Sequence, residues 1–388
     1  MIKTSKRMSQ LGTETAFEVL ARAEALARAG KDIINLGIGQ PDFKTPPHVV
    51  EAAVKALKAG HHGYTPAPGI PAVREAVAAD LEKHRGVSVH PDRIVVVPGG
   101  KVTMFFAIMM FGEPGAEILY PNPGFPIYES VIRFSGATPV PIPLMEDRDF
   151  SFDAGQVLGL VTPNTRLMIL NSPANPTGGL VPAEQIDHLV RRLADHPHVA
   201  VLSDEIYSRM TYDGKQHVSL LTYPELKDRL ILLDGWSKTY AMTGWRMGYG
   251  VWPESLAEGA TRLAINCHSC VNAAAQYAGI AALEGPQDSV DAMISAFDER
   301  RNVIVGGLNA IPGFSCRRPG GAFYAFPNIK QTGMDAQSLQ RRLLDEAGVA
   351  TIAGTSFGAF GEGYLRFSYA NSRENIEKAL ERIGKLLT

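Results

Sequence analysis

The chain alternates continuous apolar runs with amphipathic stretches, which predicts strands buried on both faces alternating with helices. Ile94-Val95-Val96-Val97, Glu117-Ile118-Leu119-Tyr120, Thr138 to Ile142, Leu167 to Leu170, Val199-Ala200-Val201-Leu202 and Arg229-Leu230-Ile231-Leu232-Leu233 read as such strands. Helices are expected over Thr15 to Ala29, Pro46 to Ala59 and Pro71 to His84, with prolines opening the last two and glycine stopping the first two. Further helices follow Lys101 to Phe111, precede Phe134 and cover Pro182 to Ala194. The pattern predicts an α/β fold, a mostly parallel sheet sandwiched by helices. From Pro253 onward the chain turns to longer helices (Ser255 to Ala264, Ala273 to Leu283, Ser289 to Leu308). Short strands near 322–326 and 364–368 and a last helix from Arg373 to Leu387 then suggest a second, smaller α/β lobe, which the N-terminal segment would join.

At 388 residues the chain can hold a large domain with a satellite. A formal net charge of -2 argues against a nucleic-acid-binding face. No apolar run approaches the roughly 20 residues that span a bilayer. The basic start, Met1 to Arg7, lacks an apolar stretch after it, so no signal peptide is expected. Three cysteines are too few to staple so large a chain and fit a reducing, cytoplasmic setting.

Polar and glycine-rich loops fall at the carboxyl ends of the expected strands, where open parallel sheets bind ligands. Lys238 stands just past the run Arg229 to Leu233, and Arg246 follows eight positions later. Alone, a loop lysine of this kind is more often an exposed surface residue. A lysine poorly solvated at a strand end has a lowered pKa and a nucleophilic amine, and an arginine nearby can fork onto a phosphate. The pair suggests a Schiff base to a phosphorylated aldehyde, pyridoxal 5'-phosphate. Gly99-Gly100-Lys101 leads into a helix N-terminus, either a plain tight turn or an anion cradle. Asp204 ends an apolar strand and needs a cap, an ion pair or a protonated ring nitrogen to meet it.

Asn171-Ser172-Pro173-Ala174-Asn175-Pro176-Thr177-Gly178, Ser203-Asp204-Glu205-Ile206-Tyr207, Ser237-Lys238 and Gly244-Trp245-Arg246-Met247-Gly248-Tyr249 occur in that order. The combination resembles the class I and II pyridoxal-phosphate aminotransferases, from about Ile33 to the C-terminus. The resemblance implies fold type I, that of aspartate aminotransferase: a large domain with a seven-stranded sheet over 46–285, a small domain over 286–388, and an N-terminal segment, 1–45, joining the latter. It implies that Lys238 carries the cofactor and shuttles a proton, that Asp204 meets the ring nitrogen, and that Tyr207 and Asn175 bond the ring hydroxyl. Phe125 would stack on the ring. Arg246, the amides of Gly100 and Lys101, and Tyr64 from a second subunit would hold the phosphate. Gly235 stands where many relatives have a phosphate-binding serine, leaving Ser237 as the substitute. Arg366 would clamp the substrate carboxylate with help from Gly39 and Asn175.

Substrate is less legible. The resemblance implies that Lys101 could meet a distal carboxylate, often with a threonine of the N-terminal segment; the best-aligned positions there read Thr15-Ala16-Phe17, and a dedicated aspartate enzyme is not expected. Phe17, Ile38 and Phe125 favour medium-sized apolar or aromatic side chains, so a fairly broad amino-acid transaminase acting as a homodimer is expected. A lyase or decarboxylase of the same fold is the alternative, and a non-catalytic ligand sensor a remote one. Cys267-His268-Ser269-Cys270 has metal or redox spacing but lacks a second ligand pair; the resemblance implies instead that this segment lines the substrate side of a neighbouring subunit's pocket. His61-His62 is expected to be a solvated loop, and Met104, Met109 and Met110 to be core.

Overall fold

A computed structural model describes residues 2–388. The strands in chain order are β1 (Ile34–Asn35), β2 (Ile94–Val97), β3 (Glu117–Asn122), β4 (Thr138–Pro143), β5 (Thr165–Asn171), β6 (Ala200–Asp204), β7 (Leu230–Gly235) and β8 (Gly248–Val251). They are followed by β9 (Tyr324–Ala325), β10 (Val349–Ala350), β11 (Ile352–Ala353) and β12 (Leu365–Ser368). Seven of them form one sheet in the order β2-β8-β7-β6-β5-β3-β4. Neighbours from β7 through β4 run parallel, while β8 is antiparallel to both β7 and β2. The architecture is the α/β sheet with covering helices that the alternation of apolar runs predicts.

Both faces of the sheet are buried, which explains why its strands read as unbroken apolar runs. In β2, Val95 and Val97 pack with Met104, Ile108, Leu202 and Leu233 on one side. Ile94 and Val96 pack with Val49, Val77 and Leu232 on the other. Successive side chains thus point to opposite helical layers, as the pleat requires.

The seventh strand, β8, was not visible as an apolar run. It reads Gly-Tyr-Gly-Val because it is threaded through tight gaps: a side chain on Gly250 would meet Thr103 and Trp252 at 2.6 Å. At the C-terminal end, β11, β12 and β9 make an antiparallel sheet, and β1 pairs in parallel with β10. Phe297, Ile304 and Leu308 of the helix Asp288–Asn309 share a buried cluster with Ile376, Ala379 and Ile383 of the helix Arg373–Leu387. Among the described residues no helix is long and apolar enough to cross a membrane.

Candidate active site at the carboxyl ends of the strands

Strands β5, β6 and β7 end on Asn171, Asp204 and Gly235, and each hands its chain to a loop on the same edge of the sheet. A cavity of about 490 Å³ lies there. Its lining contains Lys238, Asp204, Tyr207 and Asn175, and also Gly100, Lys101, Arg246 and Ser237. Phe125, Gly39, Ile38, Phe17 and Arg366 complete the set expected from sequence. Tyr64 is the exception, 93% exposed and away from the cavity.

Lys238 sits in the helical turn Trp236–Thr239 directly after β7. Its Nζ donates to the Gly39 carbonyl at 2.6 Å and lies 5.9 Å from the centre of the Phe323 ring. Burial lowers its pKa from the ordinary 10.5 to about 8, and the positive charges of Arg366 and Arg246 push the same way. A far larger share of free amine is therefore present near neutral pH than an exposed lysine would hold. Gly39 is required at its place because a Cβ there would fall 2.2 Å from the Tyr324 hydroxyl.

Asp204 is buried and accepts from the Tyr128 hydroxyl at 2.6 Å and from the Ile206 amide at 3.3 Å. Burial raises its pKa to about 6, against the pull of those two hydrogen bonds. Its cap-like bond to Ile206 and its partner Tyr128 answer part of the cost of ending an apolar strand on a carboxylate.

Behind Asp204 lies a buried charge cluster that sequence reading missed. Arg85, at the end of the helix Pro71–Arg85, donates to Glu205 at 3.0 Å and to Asp234 at 2.5 Å. Burial works to raise the Glu205 pKa, but the His217 ring and the Arg85 guanidinium carry it down to about 2. Burial holds Asp234 above its ordinary value despite Arg85. Arg85 thereby ties the residue after Asp204 to the last acid of the strand leading to Lys238.

Tyr207 and Asn175 both line the cavity and bond neighbouring side chains there. Tyr207 exchanges a hydrogen bond with the Tyr324 hydroxyl at 2.7 Å, and burial holds its phenol well above the usual range. Asn175 accepts through its side-chain oxygen from Arg366 Nη1 at 2.9 Å and so braces the guanidinium. Tyr324, from β9, was not singled out from sequence, where it stood in an ordinary apolar run. Met104 is buried, as expected of core, yet also lines the cavity.

Arg366 stands in β12 between aromatic rings, its guanidinium carbon 4.7 Å from the centres of both Tyr324 and Phe357. It is buried, and its Nε makes no hydrogen bond among the described residues. A buried guanidinium donor without an acceptor is costly, and a carboxylate entering the cavity would relieve it.

A candidate anion cradle is built from backbone. The helix Lys101–Phe111 starts on Gly100 without a capping side chain, and the Gly100 and Lys101 amides make no hydrogen bond among the described residues, so they are open to an anion. Gly99, with φ +92°, lets the Arg246 guanidinium lie against it: a Cβ would fall 2.2 Å from Nη2. Arg246 is itself held at φ +56°, a strained setting of the kind that marks functional positions. Its guanidinium bonds the Thr243 carbonyl at 2.8 Å. Gly235 now has a reason: a Cβ there would fall 2.7 Å from the Gly248 Cα. Strands β7 and β8 meet too closely for serine, and Ser237 supplies the lining hydroxyl instead.

A family model, aminotransferase class I and II, matches residues 31–383. The chain belongs to the class I and II aminotransferases. Members of the family depend on pyridoxal 5'-phosphate, and the buried amine of Lys238, the carboxylate of Asp204 and the Gly100–Arg246 cradle fit that molecule's aldehyde, ring nitrogen and phosphate. A relative named aspartate aminotransferase, from Geobacillus stearothermophilus, is 37% identical over 392 residues, covering 100% of this chain and 99% of that protein. The crystal structure of an aspartate aminotransferase from Rhizobium meliloti superposes with a TM-score of 0.95 at 35% identity, covering 100% and 99%. That of an aromatic aminotransferase from Pyrococcus horikoshii gives 0.89 at 35%, covering 94% and 98%.

Other sequence candidates fall outside the aminotransferase cavity. Cys267 is exposed and Cys270 partly so, both are free, and His268 stacks on Phe106 at 6.0 Å. Among the described residues no group of three histidine, cysteine or acidic side chains is placed to hold a metal. His61 and His62 are exposed, with His61 over Tyr277 at 4.3 Å.

Proposed function

We propose that the chain transfers the amino group of an L-amino acid to a 2-oxo acid in a ping-pong cycle, accepts a broad set of side chains, and works as a homodimer in the cytoplasm. The observation that carries this reading is the convergence, in one cavity, of a buried amine with a lowered pKa and a buried guanidinium with an open donor. Bound pyridoxal 5'-phosphate supplies an electron sink for charge developing at the substrate Cα.

The chain's own residues do the rest. Lys238 would hold the cofactor through Nζ and, once substrate displaces it, take the Cα proton as general base and return it as general acid. Asp204, kept partly ionisable by Tyr128, would face the ring nitrogen. Tyr207 stays protonated and can donate to an oxygen on the ring. Phe125 would cover a ring face. Gly100 and Lys101 amides, Arg246 and Ser237 would take the phosphate. Arg366, braced by Asn175 and near Gly39, would fork onto the α-carboxylate.

Apolar walls from Phe17, Ile38 and Phe125 support neutral side chains, and similarity to relatives named for aspartate and for aromatic amino acids supports breadth. The dimer reading is supported by Tyr64. Its loop is pinned by the buried Gln276, which bonds Thr65 at 2.9 Å and Ile70 at 2.8 Å, so the ring projects outward. Val50, Val54 and Leu57 also leave an apolar stripe exposed on the helix Pro47–Lys58. The pairing of β1 with β10 supports a small unit made of 1–45 and 286–388 beside a larger one, 46–285.

The test is a donor panel run with and without pyruvate or 2-oxoglutarate, together with borohydride reduction and peptide mapping. Turnover that needs the oxo acid, with label on Lys238, is expected. Release of ammonia or sulfide without an acceptor would overturn the assignment, and label elsewhere would overturn the role of Lys238.

A further inference from the structure

Among the described residues, Lys101 is the one cationic side chain of the cavity that takes an ion pair. Arg246 bonds backbone carbonyls, Arg366 bonds Asn175, and Lys238 bonds Gly39. Lys101 Nζ lies 5.3 Å from the centre of the Phe125 ring and takes its ion pair from Glu14. Glu14 comes from the N-terminal segment, where residues 2–13 are exposed and Gly12 is tied by one bond to Ser130 Oγ at 2.9 Å. It stands at the N-cap of the helix Thr15–Arg28, yet its side chain makes no capping bond. The carboxylate turns into the cavity instead, where it is 15% exposed against 43% for Lys101. Its negative charge is felt as deep as Lys238 and Arg366, whose protonated forms it favours.

We propose that Glu14 occupies the carboxylate site of Lys101 in the resting enzyme, as an internal stand-in for the far end of a dicarboxylic substrate. A dicarboxylate must displace Glu14 to reach Lys101, whereas a monocarboxylate with an apolar side chain need not. Glu14 thereby tilts specificity away from acidic and toward neutral substrates. The inference rests on reading the cavity as the amino-acid site, with Arg366 taking the α-carboxylate.

Calorimetric titration of the cofactor-loaded enzyme tests it, with succinate as the unreactive dicarboxylate and propionate as the monocarboxylate reference. Glu14→Gln should tighten succinate about two- to fivefold relative to propionate, the range for freeing a partly exposed ion pair. In a Lys101→Ala background the same substitution should lose that gain, because nothing remains to compete for. A gain of equal size with Lys101 removed, or none with Lys101 present, overturns the role of Glu14 alone. Succinate and propionate binding that is indifferent to Arg366→Lys overturns the reading of the cavity, and this proposal with it.

Discussion

Tyr128 donates its hydroxyl to Asp204 at 2.6 Å in a fully buried contact, and this bond opposes the upward push of burial on the Asp204 pKa. In the proposed cycle Asp204 would be ionised to meet a protonated ring nitrogen, with Tyr128 as its positioning residue. Tyr128→Phe removes a stabiliser of the charged form and raises the Asp204 pKa above about 6. The acidic limb of the kcat/KM profile should move to higher pH. A uniform loss of rate with an unmoved limb would show that Tyr128 serves packing alone.

Arg366→Lys keeps a charge but loses the planar fork and the stacking between Tyr324 and Phe357. A charge-assisted hydrogen bond is worth about 1.5–3 kcal/mol, so KM should rise about 10- to 100-fold for every amino donor, acidic or apolar. Steady-state kinetics on two donors of different side chain check this.

Arg85→Ala leaves Glu205 and Asp234 buried without their shared cation. Breaking a buried ion pair costs about 3–5 kcal/mol, measurable as a lowered urea midpoint. The pH sign follows from Glu205. Its folded pKa, about 2, lies below the ordinary 4.5, so its stabilisation is present above about pH 4.5 and lost as pH falls toward 2. Glu205→Gln should flatten the stability curve in that window, relative to the unsubstituted chain.

Gly235→Ala should destabilise by about 1–3 kcal/mol through overpacking against Gly248. Cofactor affinity should fall with it, since Lys238 lies three residues on. Thermal unfolding with and without added pyridoxal 5'-phosphate reads both effects. A variant as stable as the parent would show that β7 and β8 can separate to admit a side chain.

Sequence pattern alone determined six of the seven central strands, because burial on both faces leaves no room for polar residues within them. It also located Lys238, Asp204, Asn175 and Arg246, because chemistry at strand ends requires particular residue types in short, ordered motifs. Only the tertiary structure decided the rest. β8 escaped notice because tight gaps demand glycine, which carries no hydrophobic signal. Arg85 meets Asp234 across 149 positions, Lys101 meets Glu14 across 87, and Arg366 meets Asn175 across 191. Such partners are chosen by where the fold brings helix ends and loops together, and no local period or motif records them. Lys238 could therefore be read as the reactive lysine, while its lowered pKa had to await the burial and the two arginines that produce it.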